Sequence, residues 1–259
     1  MIIPKIMYID THCHLNLPEL YENRKAVVER AVVADVGKII TIGTDIESSI
    51  KSVEIADEFP EVFAAVGVHP TDLLKVGHDW KEQLVELLQH PKVVAVGEIG
   101  LDYYWNTTTH EDQKSFLSEQ IELAKSLNYP IILHNRRADD DIKTILKDHN
   151  YYNGVLHCYS SDEHFADEML GMSLHFSFTG NITYGSKKLQ RVLRTIPLKQ
   201  IMLETDAPFI TPVPHKSKIN EPAYIPLIAQ QIANVKDISL ETVEITTTQN
   251  ALRFFSLPS

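Results

Sequence analysis

The feature that most constrains the fold of this sequence is a repeated alternation between short apolar runs and longer amphipathic stretches. Eight apolar runs have the length and composition of buried β-strands, and stretches with apolar residues at helical spacing separate them. Eight strands that alternate with helices predict a parallel sheet covered by helices. After an N-terminal run, the predicted strands are Lys38–Thr44, Val62–His69, Val93–Gly97, Pro130–His134, Gly154–Tyr159, Leu174–Thr179 and Gln200–Thr205.

The length of 259 residues, 44% of them hydrophobic, supplies enough apolar material for one large core. No repeat, low-complexity tract or Gly/Ser linker divides the chain, so residues 1–259 are expected to form one domain. A closed (β/α)8 barrel of the TIM type fits this length and alternation better than an open doubly wound sheet. A dinucleotide-binding sheet is further disfavoured, because no Gly-x-Gly-x-x-Gly motif follows the first strand.

The formal net charge of −11 argues against a protein that holds long nucleic acids on a basic face. It does not exclude a nuclease, because divalent cations in the site can supply the missing positive charge. Cys13 and Cys158 give no disulfide framework, and no apolar run approaches the ~20 residues of a membrane span. With no signal-peptide pattern at the N-terminus, we expect a cytoplasmic protein.

The first predicted strand ends in two potential metal ligands. The sequence MYIDTHCHL at Met7–Leu15 follows an apolar segment at positions 2–7, as expected of a fully buried strand. Side chains alternate along a strand, so His12 and His14 project together while Cys13 points away. Two imidazoles side by side form half of a first-row metal site.

Similar residues stand at the ends of five other predicted strands, where a (β/α)8 barrel builds its active site. One histidine at such a position is usually a hydrogen-bonded structural residue. Imidazoles and carboxylates gathered at one barrel mouth, however, carry large desolvation and repulsion costs unless a cation binds between them. We therefore expect a metal site among His12, His14, His69, Glu98, His134, His157 and Asp206.

The residue types also constrain the metal. Imidazole and carboxylate ligands without thiolate suit Zn, Mn, Fe or Co, and Mg less well. The ligands are too many for one tetrahedral ion, so two divalent ions bridged by a carboxylate are expected. Asp206 is predicted to be both ligand and general base, whereas Glu204 and Asp10 lie deeper on the same faces and are expected to orient ligands.

Short motifs are distributed along the full length of the chain. They are DTHCHL (Asp10–Leu15), GVHP (Gly67–Pro70), VGEIGLDYYW (Val96–Trp105), ILHNR (Ile132–Arg136), HCYS (His157–Ser160), LETDAPFITP (Leu203–Pro212), NEP (Asn220–Pro222) and a terminal TTTQNALRFF. Each motif alone is modest evidence, but together they are highly specific. The set resembles the TatD family of metal-dependent hydrolases, which belongs with the amidohydrolase-type barrels.

The resemblance implies two bound ions bridged by Glu98. The ligands it implies are His12, His14 and Asp206 for one ion, and His134 and His157 for the other. His69 resembles the histidine that contacts phosphate in this family. Because family members are best known as deoxyribonucleases, including 3′→5′ exonucleases, the resemblance also implies DNA as substrate.

Residues outside the ligand set are predicted to contact the substrate. The resemblance implies that three basic residues bind phosphate groups of the substrate: Arg136, Lys216 and Lys218. Without the resemblance they would be interpreted as solvated surface residues, as basic loop residues usually are. Tyr103, in the aromatic cluster that follows Glu98, either stacks on a nucleobase or anchors its loop against the outer helices. Both interpretations of Tyr103 stay open at this point.

We therefore predict a divalent-metal-dependent hydrolase, most specifically a monomeric deoxyribonuclease of the 3′→5′ exonuclease type that acts on single-stranded DNA ends. A metal-bound hydroxide would attack phosphorus, with Glu98 holding both ions and Asp206 accepting the proton of the water. His69 and Arg136 would stabilise the charge that develops on the phosphate oxygens.

Two alternatives remain open. The same binuclear site would also suit another ester or an amide, either a small molecule or an aminoacyl ester. Many such relatives bridge their ions with a carboxylated lysine at the fourth strand, where this chain has Glu98 and where Lys92 lies before the strand. A non-catalytic metal- or nucleic-acid-binding protein fits less well, because structural metal sites are closed and usually cysteine-rich.

Overall fold

Eight parallel strands follow one another in chain order around a barrel in the computed structural model, which describes residues 7–258. Each strand pairs with the next along the chain, so the predicted (β/α)8 architecture is confirmed. The strands are β1 (Tyr8–Cys13), β2 (Val36–Ile42), β3 (Val62–Val66), β4 (Val93–Asp102), β5 (Ile131–Arg136), β6 (Gly154–Leu156), β7 (His175–Phe178) and β8 (Ile201–Leu203).

Helices cover the outside of this barrel, and the helix predicted over Leu20–Ala34 is divided into two. Within residues 7–258, no helix has both the length and the apolar character that crossing a bilayer requires. The helices are α1 (Pro18–Tyr21), α2 (Arg24–Val33), α3 (Ile46–Glu58), α4 (Trp80–Leu87), α5 (His110–Leu127), α6 (Asp139–His149), α7 (Glu163–Gly171), α8 (Lys187–Thr195), α9 (Ile225–Lys236) and α10 (Leu240–Phe254).

The barrel closes between β8 and β1 through backbone hydrogen bonds just beyond the two strand ends. The amide of Asp206 donates to the carbonyl of His12 at 2.8 Å, and the amide of His14 donates to the carbonyl of Ala207 at 2.7 Å. These bonds fix the loop after β8 against the end of β1. The closure therefore places an aspartate beside the two histidines of the first strand.

Two apolar layers fill the protein. The larger layer lies between the strands and the surrounding helices. The smaller one fills the interior of the barrel with side chains such as Ile40, Ile42 and Met202, and Phe255 at the end of α10 packs against it. Asn250 of α10 donates to the carbonyl of Ile201 at 2.8 Å, which docks this helix across the N-terminal end of the barrel. The opposite end is left for polar side chains.

Four strands differ from the sequence prediction in ways that affect the site. Strands β3, β6 and β8 end earlier than predicted, so His69, His157 and Asp206 lie on the loops beyond them. Cys158 and Asp206 have positive φ angles of 45° and 56°, which an extended strand does not allow. Strand β4 instead continues to Asp102, well past the predicted end at Gly97. The apolar positions 2–6 predicted to begin β1 lie outside the described residues.

Candidate metal centre

The end of β1 brings two imidazoles together, as the alternation of strand side chains predicts. His12 and His14 are both buried, and their Nε2 atoms lie 3.3 Å apart. The Nδ1 atom of His14 lies 3.2 Å from the carbonyl oxygen of Ile42. This contact requires a proton on Nδ1, so in the neutral ring the Nε2 atom of His14 carries a lone pair that faces His12. Cys13 points the other way and is fully buried in the outer apolar layer.

Glu98 of β4 lies between two sets of histidines and presents one carboxylate oxygen to each. Its Oε2 atom is 3.4 Å from Nε2 of His12 and 3.9 Å from Nε2 of His14. Its Oε1 atom is 2.9 Å from Nδ1 of His134 and 2.7 Å from Nε2 of His157. A carboxylate shared in this way is the usual bridge between two cations.

Asp206 completes the half of the centre formed by the end of β1. Its Oδ1 atom lies 3.4 Å from Nε2 of His14 and 3.7 Å from Nε2 of His12. Potential ligand atoms of these three residues all lie within 4.8 Å of one another, and the residues are buried. Asp206 reaches this position because the loop after β8 is hydrogen-bonded to β1.

The second half of the centre contains a carboxylate that sequence reasoning missed. His134 of β5 faces Glu98 with its Nδ1 atom, and its Nε2 atom lies 2.9 Å from Oδ2 of Asp102. Asp102 is 1% exposed and stands four residues after Glu98 on β4. Residues i and i+4 of a strand share a face, so the motif GEIGLD contained the signal. The prediction that β4 ends at Gly97 concealed it.

His69 lies directly beside the candidate metal ligands. It follows β3, and its Nε2 atom is 3.5 Å from Oε1 of Glu98. Its Nδ1 atom lies 2.7 Å from the hydroxyl oxygen of Thr71, and its ring packs edge to face against His134 at 4.4 Å. His69, Glu98 and His134 form a further group of potential ligands.

Burial and charge give these side chains unusual proton affinities. Burial raises the pKa of Glu98, but the imidazoles around it, His157 and His69 first, outweigh burial and hold that pKa well below its usual value. Burial lowers the pKa of His157, yet the charge of Glu98 raises it well above the usual value. The pKa of His12 is lowered, first by burial and second by the charge of His157. The pKa of His69 is lowered to about 3, first by burial and second by the charge of His134. The centre therefore attracts positive charge, and a cation competes there with protons.

The donor set fits divalent cations. Each half contributes a carboxylate oxygen and at least two imidazole nitrogens, with no thiolate, which suits Zn, Mn, Fe or Co. The Nε2 atoms of His12 and His14 also face each other. Two nitrogen lone pairs at this distance repel each other unless a proton or a cation lies between them. His12, His14 and Asp206 would hold one ion, His134 and His157 the other, with Glu98 between them.

Asp10 and Glu204 lie in a layer beneath these side chains. The Asp10 carboxylate accepts hydrogen bonds from the Thr205 amide at 2.9 Å and from the His12 amide at 3.3 Å. It therefore orients the His12 backbone rather than its imidazole ring. Glu204 accepts a hydrogen bond from the Ser177 hydroxyl at 2.6 Å and lies 3.7 Å from Nδ1 of His157.

A cleft of about 610 Å³ opens directly above the centre. Its floor is formed by five of the candidate ligands, and Arg136 and His69 are also part of its lining. The five are His14, Glu98, His134, His157 and Asp206. Two aromatic side chains also line it: Trp105 is 53% exposed and Phe209 is 50% exposed. This volume lies in the range of small-molecule and nucleotide sites.

The structure places three other predicted substrate residues away from the cleft lining. Tyr103 stacks on His110, with ring centroids 3.6 Å apart, and its hydroxyl donates to Asp141, so it anchors its loop to the outer helices. The ammonium of Lys216 lies 4.1 Å from the centre of the Tyr184 ring. Lys218 is exposed on the same loop as Lys216. The exposed aromatic side chains of the loop after Tyr103 are Tyr104 and Trp105, and of these two Trp105 lines the cleft.

Comparisons with known proteins identify the family. Residues 9–256 match the family described as TatD related DNase. YabD of Bacillus subtilis (strain 168), an uncharacterized metal-dependent hydrolase, is 38% identical over 254 residues, which cover 97% of this chain and 100% of that protein. YcfH of Escherichia coli (strain K12), with the same description, is 32% identical over 258 residues, which cover 96% of each chain.

A solved structure gives the same result. The crystal structure of YjjV, a TatD homolog from Escherichia coli K12, matches with a TM-score of 0.92 and 32% identity, over 97% of this chain and 98% of that one. The family match, the sequence relatives and this structure all span nearly the full length of the chain. The chain therefore belongs to the TatD-related DNase family of metal-dependent hydrolases.

Proposed function

We propose that this protein is a deoxyribonuclease that hydrolyses phosphodiester bonds at single-stranded DNA ends in the 3′→5′ direction. The observation that carries the proposal is the carboxylate of Glu98, which faces two sets of ligands at the floor of a nucleotide-sized cleft. A binuclear centre of this kind suits displacement at phosphorus, because two cations stabilise both the attacking and the leaving oxygen. The family match to DNases supports the choice of DNA over other phosphodiesters.

The proposal assigns a role to each polar group of the centre. His12, His14 and Asp206 would hold one divalent ion, His134 and His157 would hold the other, and Glu98 would bind both. When bound, the ions supply Lewis acidity and lower the pKa of water at the floor of the cleft. Asp206 accepts the proton of the attacking water, since its carboxylate both touches the histidine pair and lines the cleft.

Two side chains are placed to stabilise the phosphate. His69 and Arg136 both line the cleft, and Arg136 stacks its guanidinium on the Tyr104 ring, with Cζ 3.8 Å from the ring centroid. Stacking fixes the direction of the guanidinium while leaving its N–H donors free to bind phosphate oxygens. These contacts matter because the protein as a whole, with a net charge of −11, repels a polyanion.

Trp105 and Phe209 are the proposed contacts for nucleobases. Both side chains are about half exposed at the cleft, although their aromatic surface is large and apolar. Aromatic stacking on an unpaired base contributes ~1–3 kcal/mol and does not depend on the base. A base inside a duplex is stacked on both faces, so this arrangement favours the unstacked bases of single-stranded ends.

A comparison of substrates tests the proposal directly. Protein stripped of metal with a chelator is reloaded with Mg²⁺, Mn²⁺ or Zn²⁺ and given single-stranded DNA labelled at the 5′ or the 3′ end, duplex DNA, RNA, a lactone and an aminoacyl ester. We expect mononucleotides to be released from the 3′ end of single-stranded DNA, with no activity before reloading. If the metal-loaded protein cleaves no DNA but hydrolyses the lactone or the aminoacyl ester, the nuclease proposal is wrong.

A further inference from the structure

Asp102 uses its two carboxylate oxygens for two different parts of the site. Its Oδ2 atom is the partner of Nε2 of His134, at 2.9 Å. Its Oδ1 atom accepts hydrogen bonds from the backbone amides of Tyr104 at 2.9 Å and Trp105 at 3.1 Å. The side chain is buried, so these partners replace water. One carboxylate thus connects a histidine of the metal centre with the loop that lines the cleft.

The loop held by Asp102 carries the aromatic side of the cleft. Tyr104 and Trp105 pack edge to face, with ring centroids 4.7 Å apart. The guanidinium carbon of Arg136 lies 3.8 Å from the Tyr104 ring centroid and 5.7 Å from that of Trp105. We name these three side chains, Tyr104, Trp105 and Arg136, the aromatic platform. Its position in the cleft depends on the two amides that Asp102 binds.

The backbone of Asp102 is held by hydrogen bonds. The part of this residue that can reorient between His134 and the loop is therefore its carboxylate. Gln113 accepts a hydrogen bond from the Asp102 amide at 2.8 Å and donates one to the Asp102 carbonyl at 3.0 Å. Strand pairing continues beyond it, because the Tyr103 amide donates to the carbonyl of Arg136 at 2.9 Å. A change at His134 is therefore passed to the loop through the Asp102 side chain rather than through movement of β4.

We propose that Asp102 is a positioning residue that couples cation binding at His134 to the placement of the aromatic platform, an inference that rests on the proposed function of the centre. A cation on Nδ1 fixes the proton on Nε2 and makes that N–H a stronger donor to Asp102. The strengthened bond holds the carboxylate in the orientation that also binds the Tyr104 and Trp105 amides. By linkage, a ligand on the platform increases the affinity of this half of the centre for its cation.

Trp105 fluorescence tests the coupling without any nucleic acid. The chain contains two tryptophans, and Trp80→Phe leaves Trp105 as the reporter. Zn²⁺ is titrated into chelator-treated protein while acrylamide quenching of Trp105 and the number of bound ions are measured. We expect quenching to fall about twofold as an ion binds in the half of the centre that contains His134. Because Trp80 is only 7% exposed, quenching in the otherwise unchanged chain provides a second measurement if Trp80→Phe folds poorly.

Asp102→Asn separates the two roles of the side chain. Asparagine keeps an oxygen for the two loop amides but presents an NH₂ group to the Nε2–H of His134, so donor faces donor. We expect near-normal quenching of Trp105 without metal, no change on adding Zn²⁺, and a ~10–100-fold weaker second ion. A purely structural anchor would alter the metal-free signal instead.

Tyr103→Phe is the matched control, because it removes the hydrogen bond from the same loop to Asp141 without touching His134. This variant should retain the metal-dependent change. The proposal is wrong if Trp105 does not respond when two ions are bound, if Asp102→Asn responds like its parent, or if Tyr103→Phe loses the response as well. Because only Zn²⁺ is added, failure here leaves DNA hydrolysis untouched, and failure of DNA hydrolysis leaves the coupling measurable.

Discussion

The imidazole rings of His12 and His157 stack face to face at the middle of the site, with centroids 4.2 Å apart and planes 11° from parallel. The two residues come from β1 and from the loop after β6, so the stack joins the two halves of the centre. Two positive charges at this distance in a buried site would repel strongly. This agrees with the opposite directions of their pKa shifts, downward for His12 and upward for His157. The stack therefore brings together one residue from each half of the centre and tolerates a positive charge on at most one of the two rings.

Replacement of Glu98 should empty both halves of the centre. Glu98→Ala removes the carboxylate that faces His12 on one side and His157 on the other. We expect fewer than one bound ion per chain and a loss of activity of at least ~10³-fold. Elemental analysis together with the DNA assay measures both effects. Asp140→Asn, at a side chain that is 97% exposed, is the control that should keep both ions.

Removal of His69 should reduce the rate and leave the ions in place. In the proposed role, His69→Ala removes one contact to the developing phosphate charge, which typically costs ~10²-fold in kcat. Its Nε2 atom, however, lies only 3.5 Å from Glu98 Oε1, which is close enough for His69 itself to bind an ion. Metal content therefore decides the role: two ions in the variant support phosphate stabilisation, whereas loss of one ion would make His69 a ligand.

The exposed aromatic side chains of the cleft should affect substrate affinity. Trp105→Ala and Phe209→Ala each remove a stacking surface. The lost stacking energy of ~1–3 kcal/mol should raise KM for single-stranded DNA by about 5- to 150-fold. The effect should vanish on an oligonucleotide whose terminal residues are abasic, since no base remains to stack. Val33→Ala, at a side chain that is 86% exposed on α2, is the control. An equal loss on both substrates would mean that these side chains do not bind bases.

The barrel and the core of the centre are readable from the sequence because both follow from strand geometry. The alternation of strands and helices fixes the order of the strands, and strand ends of a parallel barrel meet at one mouth. This is why His12, His134 and Asp206 come together although they are far apart in the chain. The exception in detail is Asp206, which lies three residues beyond β8 and is held beside His12 by the closure of the barrel.

Residues beyond the predicted strand ends were harder to predict. Asp102 was missed because β4 was expected to end at Gly97, although the spacing of Glu98 and Asp102 in GEIGLD fits one face of a longer strand. Tyr103 and Trp105 are two residues apart in the chain, yet of the two only Trp105 lines the cleft. The loop amide of Trp105 is held by Asp102, whereas the Tyr103 ring is held by Asp141 and His110, and such tertiary contacts are not a property of the local sequence.

Lys92 should contribute to stability and not to catalysis. Its ammonium donates to the carbonyls of Pro60 and Val62, both at 3.0 Å, and lies 4.7 Å from the centre of the Phe63 ring. Lys92→Met keeps the aliphatic stem but loses the hydrogen bonds, so we expect ~1–3 kcal/mol lower stability and a Tm lower by roughly 3–10 °C. Thermal unfolding measures the loss, and activity at 25 °C should be unchanged.

A matched control separates the hydrogen bonds of Lys92 from its ring contact. The ammonium of Lys38 also lies over the Phe63 ring, at 5.7 Å, so Lys38→Met removes a similar ring contact. We expect a much smaller loss of stability for this variant. If Lys92→Met instead abolished activity and bicarbonate increased the activity of the parent protein, a carboxylated lysine would have to be part of the site.

Stability should fall in mild acid partly because of His175, at the start of β7. Burial, and then the charge of Arg253, lower the pKa of His175 to about 4 from the ordinary value of about 6.5. Between these two values the unfolded chain binds a proton at this position and the folded chain does not. The free energy of unfolding therefore decreases as pH falls from 6.5 toward 4, and above pH 6.5 the residue has no such effect.

His175→Phe should remove this part of the pH dependence. The ring of His175 lies 4.9 Å from that of Phe254 on α10, and a phenyl ring keeps this contact without binding a proton. We expect similar unfolding free energies for the two proteins at pH 7.5 and an advantage of ~1 kcal/mol for the variant at pH 5, a value reduced because the side chain is partly exposed. Urea unfolding of both proteins, stripped of metal so that loss of ions does not contribute, measures the difference. Parallel stability curves from pH 7.5 to pH 4.5 would show that His175 titrates in the folded protein as it does in the unfolded chain.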